Sequence, residues 1–553
     1  MEARGDGTSG GAGGGGPVPA PSSSARAARA LLDLAGAALL AAALFTLVRT
    51  ALRWPLRGFD EGVLLTDAML LLRGKALYRD FYSNYPPGIF WTIAGLWKLF
   101  GVDPVVLRCL GVAIHAGLSV VAGRIAGRAG GRRFSLLAAG LVLAWTGLLG
   151  GVPFGWLAAL LAALVFVERL GAFLTDGRGR LAAAGLALGA VGGYRHDLLV
   201  YLGLALAALV VAWAVRNGTV RPPDDVLRAA LPGVATAAAF LAVVFLPAFL
   251  RAGFARVAAD LYFDQVRWVM PSRLLPLPDL LRAVPALGLR LPAFAARPFE
   301  GAVALSLAGP LLGAAALLVA RRARRRIDPD LLLVLALAVA VLPQLLGRKD
   351  VYHALYTVAP ALVLASVLAE RAATAPLPSL GPVAACAAAA ALALPVVASP
   401  GTLFRRLPAA AVPGPSARYG GLPETSAANA AARREVFAFL DARGRPGDPV
   451  FVGCADHRHP ILSEMELYFL ADRTGATRYM QFDPGIVGRR DVQEEMVREL
   501  EEVRPTAAVL SRTTLLAEPK RAGPPGATLL DDYLATRYRS VATAGPYLLL
   551  ERR

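Results

Sequence analysis

The chain has 553 residues, 56% hydrophobic and 18% charged, with a mean hydropathy of +0.52 and a formal charge of +18. A soluble domain carries about 25% charged residues, so this composition excludes an ordinary cytosolic protein, and its hydrophobicity excludes disorder for the bulk of the chain. Three cysteines, Cys109, Cys386 and Cys454, two of them in apolar runs, make no disulfide framework. In chain order, residues 1–29 are dominated by Gly, Ser, Pro and Ala and read as a disordered tail. The tail ahead of Ala30–Val48 and Arg49 after it favour a retained span over a signal peptide.

A membrane helix needs about 20 largely apolar residues. Runs of this kind fall at 30–52, 104–126, 134–150, 153–174, 181–194, 198–215, 227–250, 300–320, 330–346, 354–370 and 380–398, about eleven spans in all. The piece 88–101 is too short to cross and is expected at the interface. Arg124, Arg128, Arg132 and Arg133, then Arg169, Arg178 and Arg180, then Arg216, Arg221 and Arg228, and finally Arg321, Arg322 and Arg324–Arg326 follow alternate spans. They share one side with Arg26 and Arg29, and the positive-inside rule makes that side cytoplasmic. This accounts for the Arg excess without nucleic acid. The N-terminus is then inside and the chain after Pro400 outside. The spans occupy 30–400, with a first outer loop at 53–103, a linker at 401–435 and an extracytoplasmic domain at 436–553. That last part alternates: strands at Asp448–Cys454, Thr477–Phe482, Ala507–Ser511 and Tyr547–Glu551, helices at Ile461–Arg473, Asp491–Val503 and Leu529–Tyr538. The pattern predicts a small α/β domain with a largely parallel sheet. The fold class expected is therefore a polytopic α-helical membrane protein, N-in and C-out, with a C-terminal α/β domain.

The first outer loop carries the most chemistry. In Phe59-Asp60-Glu61-Gly62 and the run after it, Leu64, Ala68, Leu71 and Leu72 share one helical face. Asp60 is placed to cap the helix and Gly74 to end it. Two adjacent acids at a membrane–water boundary also offer a general base. Leu77-Tyr78-Arg79-Asp80-Phe81-Tyr82-Ser83-Asn84-Tyr85-Pro86-Pro87-Gly88 follows. Its prolines fix an extended entry into the next apolar piece, and its aromatics fit an interfacial belt or a surface that stacks on a sugar.

The order of a span, Asp-Glu, an amphipathic helix, Gly-x-x-Leu-Tyr, Tyr-Pro-Pro-Gly and then Arg108 resembles the first loop of the GT-C membrane glycosyltransferases. The nearest branches are the protein O-mannosyltransferases and the aminoarabinose transferases that modify lipid A. The resemblance is close over about residues 55–110 and elsewhere rests on architecture. It implies transfer of a sugar from a polyprenyl-phosphate donor to a hydroxyl of a glycan, lipid or protein acceptor, at the outer face of a bacterial cytoplasmic membrane, with Asp60 as the base. In the mechanism expected here Glu61 is the second catalytic residue, and it or Asp80 positions the base or a sugar hydroxyl. One departure stands out: the aminoarabinose enzymes have a Lys before Pro-Pro, where this chain has Tyr85, so another cation must meet the donor phosphate. Arg195, in Gly193-Tyr194-Arg195-His196-Asp197, and Arg348 and Lys349, in Gly347-Arg348-Lys349-Asp350-Val351-Tyr352-His353, are the candidates. Charged groups at span ends face a cavity or a partner, which adds Asp80, Tyr85, His196, Asp197, Asp350 and His353 as substrate-binding candidates.

No cofactor is indicated; a divalent metal is compatible with the chemistry, but beyond Asp60-Glu61 no acidic cluster points to one, so none is assigned. The segment 251–299 reads as an interfacial helix, with a lid or acceptor groove as the rival. Cys454-Ala455-Asp456-His457-Arg458-His459 matches no zinc spacing and reads as a solvated loop. A transporter or lipid flippase is the alternative function. It predicts polar residues and broken helices at mid-span, whereas the polar groups here cluster at span ends.

Overall fold

The computed structural model describes residues 23–53, 55–56, 58–176, 181–217, 224–273, 298–322, 328–347, 351–373, 380–398, 412–414, 422–458, 463–483, 485–512 and 526–553. Each apolar run is helical. The bundle is formed by α1 (Ser23–Arg53), α4 (Pro104–Ala129), α5 (Leu136–Thr146), α6 (Gly155–Asp176), α7 (Leu181–Tyr194), α8 (His196–Asn217) and α9 (Asp224–Ala252). It continues, after the short helices α10 (Phe254–Ala258) and α11 (Met270–Arg273), with α12 (Pro298–Arg322), α13 (Pro329–Ala340), α14 (Pro343–Gly347), α15 (Val351–Ala373) and α16 (Leu380–Ala398). Among the described residues, five helices are long and apolar enough to cross a membrane by length and composition: Ser23–Leu52, Pro104–Ala129, Gly155–Thr175, Ala230–Ala252 and His353–Ala373. The others are shorter apolar helices. The run 330–346 is broken where Pro343 removes a backbone donor. The protein is an integral membrane protein by this set of long apolar helices.

At one end of the bundle the arginines that follow alternate spans meet acids from other helices. Arg128 bridges Glu168 and Asp330, Arg124 and Arg169 also pair with Glu168, and Arg132 forks onto Asp33 of α1. Charged groups at helix ends thus satisfy one another where the chain leaves the apolar layer. An apolar cavity of about 540 Å³ lies among α1, α5 and α16, lined by residues such as Leu31, Leu39, Leu137 and Cys386.

At the opposite end lie α2 (Gly58–Leu72) and α3 (Gly88–Phe100). α2 begins two residues before Asp60, so Asp60 stands in its first turn rather than capping it, and Gly74, at φ +80°, follows its end as expected. α2 is apolar almost all round, because it is buried between the bundle and the C-terminal domain. That domain comprises α17 (Ala427–Asp441), α18 (Glu466–Leu470), α19 (Arg490–Val503) and α20 (Leu529–Arg537). A two-stranded ribbon, β1 (Val412–Pro413) and β2 (Pro423–Glu424), precedes a five-stranded sheet. The sheet has the order β4 (Thr474–Gly475), β3 (Pro449–Cys454), β5 (Ala507–Ser511), β7 (Tyr547–Arg552), β6 (Tyr538–Ala544).

The expectation of a largely parallel sheet is corrected. β3 pairs in parallel with β4 and β5, but β7 is antiparallel to both β5 and β6. The missed strands of the sheet are two: the two-residue β4, and β6, whose five central residues are exposed and do not alternate. Thr477–Phe482 is not a strand: it runs buried between the domain and the first loop, with Arg478 and Gln481 bonded outward. Of Ile461–Arg473 only Glu466–Leu470 is α-helical among the described residues. α17 begins inside the stretch read as linker and packs on β6 and β7.

His457 corrects the solvated-loop reading; His459 lies outside the described residues. The His457 ring is fully buried between Phe451 and Phe482, with Nδ1 2.6 Å from Asp531 Oδ1. Burial disfavours the charged ring, but the Asp531 hydrogen bond and the neighbouring Cys454 outweigh it and raise the imidazole to about 9. A raised histidine stabilises the fold fully below its ordinary value of 6.5, and that contribution is lost as pH rises through about 9. Thermal unfolding of the purified protein is therefore expected to weaken between pH 6.5 and 9.5, by on the order of 3 kcal/mol. Asp531→Asn is expected to flatten that dependence; an equally steep profile in the variant would place its origin elsewhere.

Candidate functional site

The site is assembled where α2, the first loop and the C-terminal domain meet the ends of α6, α7, α13–α14 and α15. The first loop is pinned from two directions. Arg478 donates its Nε–H to the Tyr78 carbonyl and pairs with Asp260. Tyr82 donates its backbone N–H to the Arg478 carbonyl and its hydroxyl to Asp483, and the Asn84 amide donates to Asp483 at 2.9 Å. Asp260 belongs to the segment after α9, where a helix from Phe254 to Arg273 contains two π-turns, Ala259–Phe263 and Gln265–Val269. Burial pushes Asp260 up to about 6 against the pull of Arg478. Phe254, Tyr262 and Phe263 of this helix are exposed; residues 274–297 lie outside the described residues.

α2 is fixed against the C-terminal domain at three points. The Thr66 hydroxyl donates to the Met465 carbonyl at 2.7 Å, Arg73 pairs with Asp472, and Gly62 lies against the Glu466 backbone. A Cβ at position 62 would stand 2.6 Å from the Glu466 nitrogen, so only glycine permits this approach. Trp97 of α3 stacks on Phe469 of α18 with ring centroids 5.6 Å apart.

Asp60 is half-buried, and the Tyr85 hydroxyl approaches its Oδ1 at 3.5 Å. Glu61, one residue on, is directed the other way into a fully buried pair. Arg108 of α4 donates Nε–H to Glu61 Oε1 at 2.6 Å and Nη2–H to Oε2 at 3.1 Å. Its remaining donors reach the Ala51 and Pro55 carbonyls. The two acids of the motif therefore have separate surroundings: Glu61 ties α2 to α1 and α4, and Asp60 lies toward Tyr85. Asp80 accepts from the Ala76 backbone and pairs with Arg79, contacts within its own turn. The Arg79 hydrogen bond holds Asp80 below the usual carboxylate range against the opposing effect of partial burial, with the Ala76 N–H adding to the lowering.

From Tyr85 a row of polar and aromatic side chains runs across the helix ends. Tyr85 packs edge-on to Phe90, and the Thr92 hydroxyl lies 3.0 Å from the Tyr194 hydroxyl. Arg195 turns back onto Asp197 with two hydrogen bonds, 2.9 and 3.2 Å long, and its guanidinium lies 5.2 Å from the Trp156 ring centre. Trp156 stacks on Tyr356, which meets His353 edge to face. Gln344 donates to Asp197 at 3.0 Å. The structure thus gathers Asp60, Tyr85, Arg195, Asp197 and His353 at one end of the bundle. His196 opens α8 beside them, with its Nδ1 buried and, among the described residues, without a hydrogen-bond partner. Arg348, Lys349 and Asp350 lie outside the described residues.

Sequence reasoning missed Trp156, Gln344 and Tyr356, which sit in apolar stretches with no motif. It also missed Asp67, a fully buried acid on α2 whose burial pushes it well above the carboxylate range. Among the described residues, no three His, Cys, Asp or Glu side chains converge in a way that could hold a metal ion.

No family model matches the chain, and no curated protein matches it. Several solved structures are similar, among them two that match over nearly the whole chain. One is ArnT from Cupriavidus metallidurans in the apo state, at 15% identity and a TM-score of 0.52, covering 93% of this chain and 97% of that one. The other is ArnT from Cupriavidus metallidurans bound to undecaprenyl phosphate, at 14% identity and a TM-score of 0.49, with the same coverage. At such identity the likeness speaks for architecture alone: this chain shares the fold of ArnT from Cupriavidus metallidurans.

Proposed function

We propose that this protein is an integral-membrane glycosyltransferase that moves a sugar from a polyprenyl-phosphate donor to an acceptor hydroxyl at the outer face of the cytoplasmic membrane. The observation that carries the reading is the row from Asp60 through Tyr85 to Arg195, which pairs a carboxylate with a guanidinium at one end of an ArnT-like bundle. The first-loop motif over residues 55–110 supports it independently of the fold. In this reading eleven helices cross the bilayer, N-in and C-out. The spans occupy 30–400, and the C-terminal domain, with α17 as its first helix, lies outside.

The chemistry follows from the residue types. The donor enters laterally from the bilayer. Asp60 takes the proton of the acceptor hydroxyl as its oxygen attacks the anomeric carbon from the face opposite the phosphate, so the configuration inverts. The bond from that carbon to the phosphate oxygen breaks, and its electron pair leaves with the lipid phosphate, which departs as a dianion. Arg195, with Arg348 or Lys349, receives the developing charge; in such sites charge stabilisation is commonly the largest contribution to rate. Tyr85 orients the base, while His196, Asp197 and His353 border the substrate. Glu61 serves as an anchor for the helix that carries Asp60. The gathering of polar groups at one end, rather than at mid-span, favours transfer over the transport alternative.

The test is sugar transfer by the purified protein in nanodiscs, offered a panel of polyprenyl-phosphate sugars with lipid and glycan acceptors. Release of polyprenyl phosphate with sugar appearing on an acceptor is the expected result. Donor movement across the bilayer without cleavage would replace this reading with the transporter.

A further inference from the structure

Arg195 is gripped along one edge. Its Nε–H and an Nη2–H go to the two oxygens of Asp197. A guanidinium holds five N–H donors in one plane, so the Nη1/Nη2 edge is directed away from Asp197. Trp156 lies beside the guanidinium, and Tyr356, stacked on Trp156 at 5.9 Å, fixes that indole in turn. Asp197 is itself held. Gln344 Nε2 donates to Oδ2, the same oxygen that accepts from Arg195 Nη2. Gln344 is nearly buried and comes from α14, 147 residues away, so this contact is made only in the folded bundle.

We propose that Gln344 is a positioning residue for the lipid-phosphate site: acting through Asp197, it sets the plane of Arg195 so that the outer guanidinium edge meets two oxygens of a phosphate. The inference rests on the proposed role of Arg195 as a donor-phosphate ligand. Fork-to-fork recognition of a phosphate needs the two planes aligned. A carboxylate held only by the arginine and by the Leu198 N–H of its own helix turn would still turn with the arginine about the Asp197 side-chain torsion. A third donor from a separate helix stops that rotation. The same pairing leaves the Arg195–Asp197 unit with no net charge, so recognition depends on orientation more than on bulk attraction.

The experiment is binding of farnesyl phosphate, a short polyprenyl phosphate, to the full-length protein in detergent, with inorganic phosphate as the comparison. Gln344→Met keeps side-chain length and removes the donor; it is expected to weaken farnesyl phosphate binding about tenfold with an unchanged unfolding temperature. Gln344→Lys restores a donor and is expected to bind within about twofold of wild type. Arg195→Ala is expected to lose binding, and adding Gln344→Met to it should cost nothing further. Binding by Gln344→Met within twofold of wild type would overturn the proposal, as would the same loss in the Arg195→Ala background. If wild type and Arg195→Ala bind alike, the role of Arg195 falls and this inference with it, while transfer in the donor panel still reports separately on the enzyme reading. Binding of inorganic phosphate as tightly as farnesyl phosphate would make the site a general anion site and overturn its assignment to lipid phosphate.

Discussion

Asp60→Asn is expected to lower sugar transfer by about 10²–10⁴-fold, the range that general-base help contributes, with little change in stability. The asparagine is nearly isosteric and its Oδ1 still accepts from the Tyr85 hydroxyl, but it cannot take a proton. Asp60 stands in the first turn of α2, so the lost charge also removes a favourable interaction with the helix N-terminus, worth about 0.3–1 kcal/mol. That cost is small beside the packing of α2 on both its neighbours. The measurement is kcat and KM for the donor, beside the unfolding temperature. A fall in kcat with KM nearly constant assigns Asp60 to the transition state. Activity within tenfold of wild type in the folded variant would remove Asp60 as the base. Tyr85→Phe serves as the companion: its hydrogen bond to Asp60 is long, at 3.5 Å, so its effect is expected to be far smaller.

The second large effect is on stability. Arg108→Ala removes the partner of a fully buried carboxylate together with two carbonyl acceptors' donors. Removing one member of a buried ion pair costs about 3–5 kcal/mol, since the other charge is left without compensation. The expected result is a strongly lowered unfolding temperature in detergent and loss of expression. Glu61→Gln is expected to be milder, because the amide oxygen still accepts from Arg108 and the arginine keeps the Ala51 and Pro55 carbonyls. Replacing both partners by leucine should recover part of the loss, as apolar pairs of similar volume often match buried ion pairs. The contrast with Asp60 is the discriminating result: adjacent acids, one expected to change rate and the other stability. Equal effects of Asp60→Asn and Glu61→Gln on kcat, at unchanged stability, would return Glu61 to the catalytic machinery.

The helices were legible because apolar runs report burial directly: all eleven read from the sequence are helical, with ends mostly within a few residues. The C-terminal core strands at 449–454, 507–511 and 547–552 were legible for the same reason, each being a short apolar run bounded by polar turns. β6 was not, because its five central residues are exposed and its sequence has no alternation to read. Thr477–Phe482 misled because its apolar residues are buried by docking rather than by pairing in a sheet. His457 misled in the opposite direction: polar neighbours suggested a solvated loop, but Asp531, 74 residues away, compensates its burial.

At the candidate site, the sequence by itself determined the membrane class, the first-loop helix with its Asp-Glu pair and its glycine stop, and the clusters that flank Arg195 and His353; that the helix is buried on all sides rather than amphipathic came from the fold. Each is a local pattern, and local patterns carry helix periodicity, turn chemistry and the hydropathy of span ends. Only the tertiary structure decided that Glu61 belongs to Arg108, that Asp80 serves its own turn, and that Arg195 is held by Asp197, Gln344 and Trp156. Those outcomes depend on which helix ends lie side by side, and helix packing is set by small-residue contacts and side-chain fit across the bundle, which no local pattern encodes.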